Sequence, residues 1–185
     1  MKNDSILGFA VLGLLSQQPM SGYDLRKIFA STAMGSFSDS PGAIYPALAR
    51  LEAQGRVRGA VKESSGLRQR KIYKLTAKGV GALKGWLKRP ITRDDVVRHD
   101  EDVMLRFAFM DQVLGPKQTL RFLREFEREI AAYLPTLQQF LEAHASEMPQ
   151  SGRLALECGI GEYAMRLRWA RSSAALYEQG RRNRR

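Results

Sequence analysis

Apolar residues follow two different rhythms along this chain, and the change of rhythm outlines its architecture. Between Ile6 and Leu15 the apolar positions Ile6, Leu7, Phe9, Val11, Leu12, Leu14 and Leu15 go most of the way round a helix. A helix that is apolar all round is a buried one, so a buried first helix is expected from Ile6 to about Ser16, capped by Ser5 and ended by Gln17-Gln18-Pro19. Ser21 and Gly22 open a second helix to about Met34, whose stripe is Leu25, Ile28 and Phe29. Ser40-Pro41 joins a capping hydroxyl to a proline at the first helical position. It starts a third helix that runs to about Gln54, with Gly55 as the stop and Ile44, Leu48 and Leu51 facing inward. Two short amphipathic helices joined by a short loop make a helix-turn-helix.

After Gly55 the period falls to two. Val57, Gly59 and Val61 alternate with Arg56, Arg58, Ala60 and Lys62; then comes the turn cluster Ser64-Ser65-Gly66. Beyond it, Ile72 and Leu75 stand among Arg68, Arg70, Lys71, Tyr73 and Lys74. This predicts a basic two-stranded hairpin. Thr76 caps a fourth helix from Ala77 to about Lys88, stopped by Pro90. Helices, basic hairpin, helix: the order is that of a winged helix-turn-helix.

Residues 91–99 read as a linker, and helical text resumes at Asp100 with Val103, Met104, Phe107, Phe109, Met110 and Leu114. Gly115-Pro116 starts another helix, in which Leu123, Phe126, Ile130, Tyr133, Leu137 and Phe140 recur at spacings of three and four. Such a seam suits a partner helix; Pro135 is expected to kink it. After a break at Met148 to Gly152, a last helix from Arg153 to Gln179 carries Leu154, Cys158, Gly161, Met165, Trp169, Ser172 and Leu176 on one side. Leu123, Phe126, Ile130, Tyr133, Leu137, Met165 and Trp169 are the expected dimerisation residues. The fold class is therefore mainly α with a small β-hairpin. It comprises a winged helix-turn-helix DNA-binding domain over 1–90, a helical dimerisation domain over 91–180 and a basic disordered tail over 181–185.

Composition narrows the function. Hydrophobic residues are 44% of the chain, enough for a core without disulfides or metals. The lone cysteine, Cys158, excludes a disulfide within the chain and, on an apolar helix face, reads as a core thiol. No apolar run of 18 residues is present and no cleavage site follows the first apolar run, so neither a membrane span nor a signal peptide is expected, and a cytoplasmic setting fits. His99 and His144 are the only histidines and neither has metal-ligand spacing; there is no Gly-rich phosphate loop. Hence no catalytic residues, no metal and no cofactor are expected, and the chain is not read as an enzyme.

The formal charge is +11, and residues 1–90 hold 15 Lys or Arg against 5 Asp or Glu, so +10 of it sits in one half. That asymmetry points to a polyanion, double-stranded DNA, as partner of that half, with solubility as the plain alternative. A protein-protein interaction module without sequence-specific DNA binding would account for the helical seam but not for the +10. The third helix carries the chemistry for reading a groove. Ser38, Ser40, Gly42 and Ala43 are small and let the backbone approach; Tyr45 offers a hydroxyl to phosphate; Pro46 and Ala47 offer apolar contact to a thymine methyl; Arg50 reaches backbone or guanine. Lys27 lies off the apolar stripe of the second helix, and Arg68, Arg70, Lys71 and Lys74 flank the hairpin turn, where cations reach phosphates or a minor groove. Packing alone, or charges that guard a sheet edge, is the competing explanation for each.

The assembled residues resemble the PadR family of bacterial transcriptional regulators. The matching stretches are Ile6-Leu7-Gly8 through Leu14-Leu15 and Pro19-Met20-Ser21-Gly22-Tyr23-Asp24-Leu25, then Gly42-Ala43-Ile44-Tyr45-Pro46-Ala47-Leu48, Arg50-Leu51-Glu52 and Gly55. Arg70-Lys71-Ile72-Tyr73-Lys74-Leu75-Thr76-Ala77-Lys78-Gly79 completes them. The helical half is similar to the longer subgroup of that family. The resemblance implies a cytoplasmic homodimer on a pseudo-palindromic operator, usually a repressor. It implies DNA contacts from Tyr23, Ser40, Gly42, Tyr45 and Pro46, wing contacts from Arg70 and Lys71, and a structural Tyr73 packed on the fourth helix. Ser21 departs from the histidine that many relatives carry. Some relatives release DNA on binding a small aromatic effector near the dimer interface. Trp86, Phe107, Phe109, Tyr163 and Trp169 are the aromatic residues open to such a ligand, with ordinary packing as the alternative.

Overall fold

The computed structural model describes residues 5–36, 41–62 and 70–182, which fall into two units, Met1–Arg89 and Pro90–Arg185. In the first unit, α1 (Ile6–Gln17) starts where the Ser5 hydroxyl accepts a hydrogen bond from the Gly8 amide. Its Ala10, Val11 and Leu12 are fully buried, as an all-round apolar helix requires. α2 (Gly22–Ser31) opens with a reciprocal cap: the Ser21 hydroxyl takes the Asp24 amide, and Asp24 takes the Ser21 amide. Those bonds satisfy donors that a helix start otherwise leaves open. α2 ends three residues before the expected Met34, and Ala33–Ser36 tighten into a 3-10 turn.

α3 (Pro41–Ala53) buries Ile44, Ala47, Leu48 and Leu51 on one face. Ala47 is thus a core residue, not a surface one. Gly55, at φ 68°, turns the chain into β2 (Val57–Lys62); that left-handed conformation suits glycine. β2 pairs antiparallel with β3 (Arg70–Leu75), with Gly59 opposite Tyr73. The expected two-stranded hairpin proves to be a three-stranded sheet in the order β1-β3-β2, because β1 (Met20–Ser21) pairs with the other edge of β3. Two residues carry no readable alternation, which is why this strand left no pattern in the sequence. α4 (Ala77–Leu87) is capped by Thr76, and its Gly79 lies so tightly on the Arg56 carbonyl that no side chain fits there. Trp86 is buried and stacks on Phe9, with ring centroids 4.7 Å apart, so this ring belongs to the core of the first unit.

In the second unit the expected linker is structured. Ile91 and Val96 are buried, and α5 (Arg93–Arg98) has a complete capping box from Thr92 and Asp95. α6 (Asp100–Leu114) follows; then Gly115, at φ 78°, and Pro116 start α7 (Pro116–His144). α8 (Gln150–Arg182) is longer than expected at both ends, and it remains helical through Arg182, where a disordered tail had been expected. Leu123, Phe126 and Ile130 of α7 are fully buried within the single chain, Leu123 clustered with Leu120 and Ala174, and Phe126 facing the Trp169 ring at 6.2 Å. These three positions of the expected intermolecular seam are covered by the chain's own helices. Phe109 is likewise core, and Phe107 meets Trp169 edge-on at 5.0 Å. Arg124 binds Glu127 and Glu178, each at 2.6 Å, and Arg171 binds Glu127 at 3.0 Å, joining α7 to α8.

α8 buries Ala170 and Ala174, whereas Leu154 and Met165 are 50% exposed and Leu176 is 68% exposed. Cys158, Gly161 and Ser172 lie on that same exposed face. Cys158 is therefore an exposed thiol and not the core residue expected: α8 turns its small residues inward and leaves its larger apolar stripe open.

Candidate nucleic-acid interface

The face of α3 opposite its core stripe carries Gly42, Tyr45, Pro46, Ala49 and Arg50, all exposed, with Ala43 half-buried at its border. Tyr45 is 49% exposed although it sits one residue from fully buried Ile44. Helical periodicity produces that contrast: 100° per residue turns neighbours to different faces. On α2, Tyr23 is 51% exposed with the Arg26 guanidinium 5.4 Å over its ring, and Lys27 is exposed. Ser38, Ser40 and Arg68 lie outside the described residues.

Three elements meet around one surface depression of about 400 Å³, lined by Ser21, Gly22 and Tyr23 of the β1–α2 junction, Tyr45 of α3, and Arg70, Lys71 and Tyr73 of β3. Three phenol rings and two cations from separate parts of the sequence thus surround one concavity, at the capped start of α2. Asp24, just inside α2, stays a carboxylate: the Ser21 hydroxyl and then the Ser21 amide lower its pKa, with help from Arg70 and Lys27. Such a site accommodates an anion with aromatic or sugar surface beside it. Ser21 and Gly22 were not among the expected site residues. Their signal was the glycine itself, which the Tyr45 ring requires as a neighbour without a side chain.

The wing cations differ. Arg70 and Lys74 occupy one face of the sheet, and Lys71, Tyr73 and Leu75 the other. Tyr73 is buried as a structural residue should be. Lys71 donates to Glu52 at 2.7 Å, which raises the lysine pKa and lowers that of the glutamate. Among the described residues no group of three His, Cys, Asp or Glu could hold a metal ion, and no helix is long and apolar enough to cross a membrane.

The fold and this surface define a winged helix-turn-helix protein with a helical second unit. Residues 11–85 match the Transcriptional regulator PadR-like family. The chain is 25% identical over 146 residues to the negative transcriptional regulator PadR of Bacillus subtilis, covering 79% of each. Both matches make the chain similar to that family of transcriptional regulators. Similar solved structures include Bacillus subtilis PadR in complex with operator DNA, at 25% identity and a TM-score of 0.45, covering 93% of this chain and 99% of that one. The same regulator in complex with p-coumaric acid gives 25% and 0.43 over 94% and 99%. A PadR-like transcriptional regulator of Bacillus cereus gives 24% and 0.41 over 94% and 99%.

Proposed function

We propose that this chain is a PadR-family transcriptional regulator that acts in the cytoplasm as a sequence-specific DNA-binding homodimer, represses from a pseudo-palindromic operator, and is not an enzyme. One observation carries the DNA reading: Tyr23, Tyr45 and Arg70 surround a single depression beside the exposed face of α3, in the half of the chain that holds +10 of the +11 charge. In the proposed mode the start of α3 enters a major groove, with Gly42 and Ala43 near the backbone, Pro46 near base methyls and Arg50 on backbone or guanine. Tyr23, Tyr45, Lys27 and Arg70 hold flanking phosphates, and released counterions supply much of the affinity.

The open stripe of α8 supports the dimer. Leu154, Met165 and Leu176 form an apolar line with small Cys158, Gly161 and Ser172 between them, a surface that a second copy would cover. Two-fold pairing would set two α3 helices about 34 Å or a multiple apart, so the target would be two-fold symmetric. Of the expected dimerisation residues, Met165 fits this role; Tyr133, Leu137 and Trp169 are half-buried. The repressing sense follows the Bacillus subtilis relative, described as a negative regulator. That relative also binds p-coumaric acid. Here Tyr133 and Tyr163 meet edge-on at 5.1 Å, with Arg93 over one ring and Arg166 over the other, groups that complement a small aromatic acid as effector.

Selection of bound sites from a random duplex library, repeated at rising salt, tests the reading. A recovered two-fold symmetric motif whose affinity falls steeply with salt is the expected result. A protein-interaction module would enrich no sequence, and that outcome would remove the proposal.

A further inference from the structure

Between α3 and the wing the chain passes through a turn at Gly55, so the angle between them needs a brace. Glu52, on the last turn of α3, reaches across. Its Oε1 accepts the Gly59 amide of β2 at 2.9 Å, and its Oε2 accepts Lys71 Nζ of β3 at 2.7 Å. One carboxylate thus holds both long strands of the wing to the reading helix. Gly59 makes this geometry possible. A β-carbon there would overlap Cε of Lys71 and lie 2.9 Å from Glu52 Oε1 and 3.1 Å from Lys71 Cδ, so the lysine stem crosses β2 only because residue 59 has no side chain. A glycine inside a strand often marks such a close approach. The bonded carboxylate is kept ionised, by Lys71 first and the Gly59 amide second. An ion pair this exposed contributes little to stability, so its effect is geometric.

We infer that Glu52 is a positioning residue that sets the wing's angle to α3, and that Lys71 acts through Glu52 and not on a DNA phosphate. The inference rests on the DNA-binding reading above. It is tested with Glu52→Ala, Glu52→Gln, Lys71→Met and the double variant Glu52→Ala/Lys71→Met, binding the selected duplex and a scrambled one at several salt concentrations. Glu52→Ala and Lys71→Met are each expected to lower affinity for the selected duplex by about tenfold, the loss of one good base contact, with the double variant no worse than either single. Affinity for the scrambled duplex and the salt slope of Lys71→Met should stay near wild type. Glu52→Gln, which keeps an acceptor for Gly59, should fall between. Hydrogen exchange of the Gly59 amide reports the brace directly: slow in wild type, fast in Glu52→Ala.

Several outcomes overturn the inference. If Glu52→Ala binds both duplexes more tightly, the carboxylate only repels phosphate. If Lys71→Met weakens both equally and lowers the salt slope by about one, Lys71 is a phosphate contact. Additive losses in the double variant also refute the coupling. Should Glu52→Ala fail to fold, Glu52→Gln and Lys71→Met decide the matter alone. A wild-type protein with no duplex preference removes the DNA reading and this inference together; retained preference with Glu52→Ala unchanged removes only the inference.

Discussion

The Tyr45 ring lies so close to Gly22 that a β-carbon at residue 22 would stand 2.5 Å from its Cε1. The reading helix and the start of α2 are thus fitted by one glycine and one phenol. Gly22→Ala must push the ring aside, which an exposed side chain does at small cost in stability. The expected result is a melting temperature within a few degrees of wild type, a ΔΔG under about 1 kcal/mol, together with clearly weaker DNA binding. Titration of a selected duplex checks it; unchanged affinity would show that the ring's position is immaterial to DNA.

Arg70 lines the depression from β3. Arg70→Ala is expected to weaken binding to all duplexes alike and to lower the salt slope by about one, the signature of a lost phosphate contact. Binding isotherms at four or five salt concentrations suffice. A change confined to one base position would make Arg70 a base reader instead.

Phe126 and Met165 separate folding from assembly. Phe126 is fully buried in the second unit, so Phe126→Ala should destabilise that unit by about 3–5 kcal/mol. Met165 is half exposed, so Met165→Asp should leave the fold intact and shift the protein to monomers that bind DNA poorly. Chemical denaturation and sedimentation together read both. A dimeric Met165→Asp protein would place the interface elsewhere.

Glu127 supplies a pH dependence. Burial pushes its pKa up, but hydrogen bonds from Arg124 and Arg171 outweigh burial and leave the net value lowered. A carboxylate whose folded pKa is depressed stabilises the fold above the ordinary glutamate range and loses that contribution as pH falls through the depressed value. The gap in melting temperature between wild type and Glu127→Gln should therefore be steady near neutral pH and close on acidification. A gap that widened in acid would reverse the assignment.

What could be read in advance followed local chemistry. The starts of α2 and α4, the ends of α1 and α3, and the basic β2–β3 pair all announce themselves through caps, glycines and period. The exposure of Tyr23, Tyr45 and Arg70 was legible because it follows from the phase of the helix or strand that carries each. Other features were not legible. β1 is too short to alternate, and α5 has too few apolar residues to show a stripe. The α7 seam showed that a face is buried, but periodicity does not say whether the covering helix belongs to the same chain; here Ala174 and Trp169 of α8 cover Leu123 and Phe126. The same ambiguity holds on α8: of its apolar stripe, Trp169 packs inward beside Ala170 and Ala174, while Leu154, Met165 and Leu176 stay exposed. The Glu52–Lys71 pair spans 19 residues, beyond any local signal.

The two-residue strand β1 has an effect out of proportion to its length. With Met20 and Ser21 bonded to one edge and β2 to the other, β3 is an interior strand and has no free edge along which to slide. A slip of one residue would turn Tyr73 out to solvent and exchange Arg70 and Lys71 between faces. The placement of positive charge in this sheet is therefore locked by main-chain bonding from the segment that leads into α2, and insertions or deletions within 70–75 should be far more damaging than substitutions there.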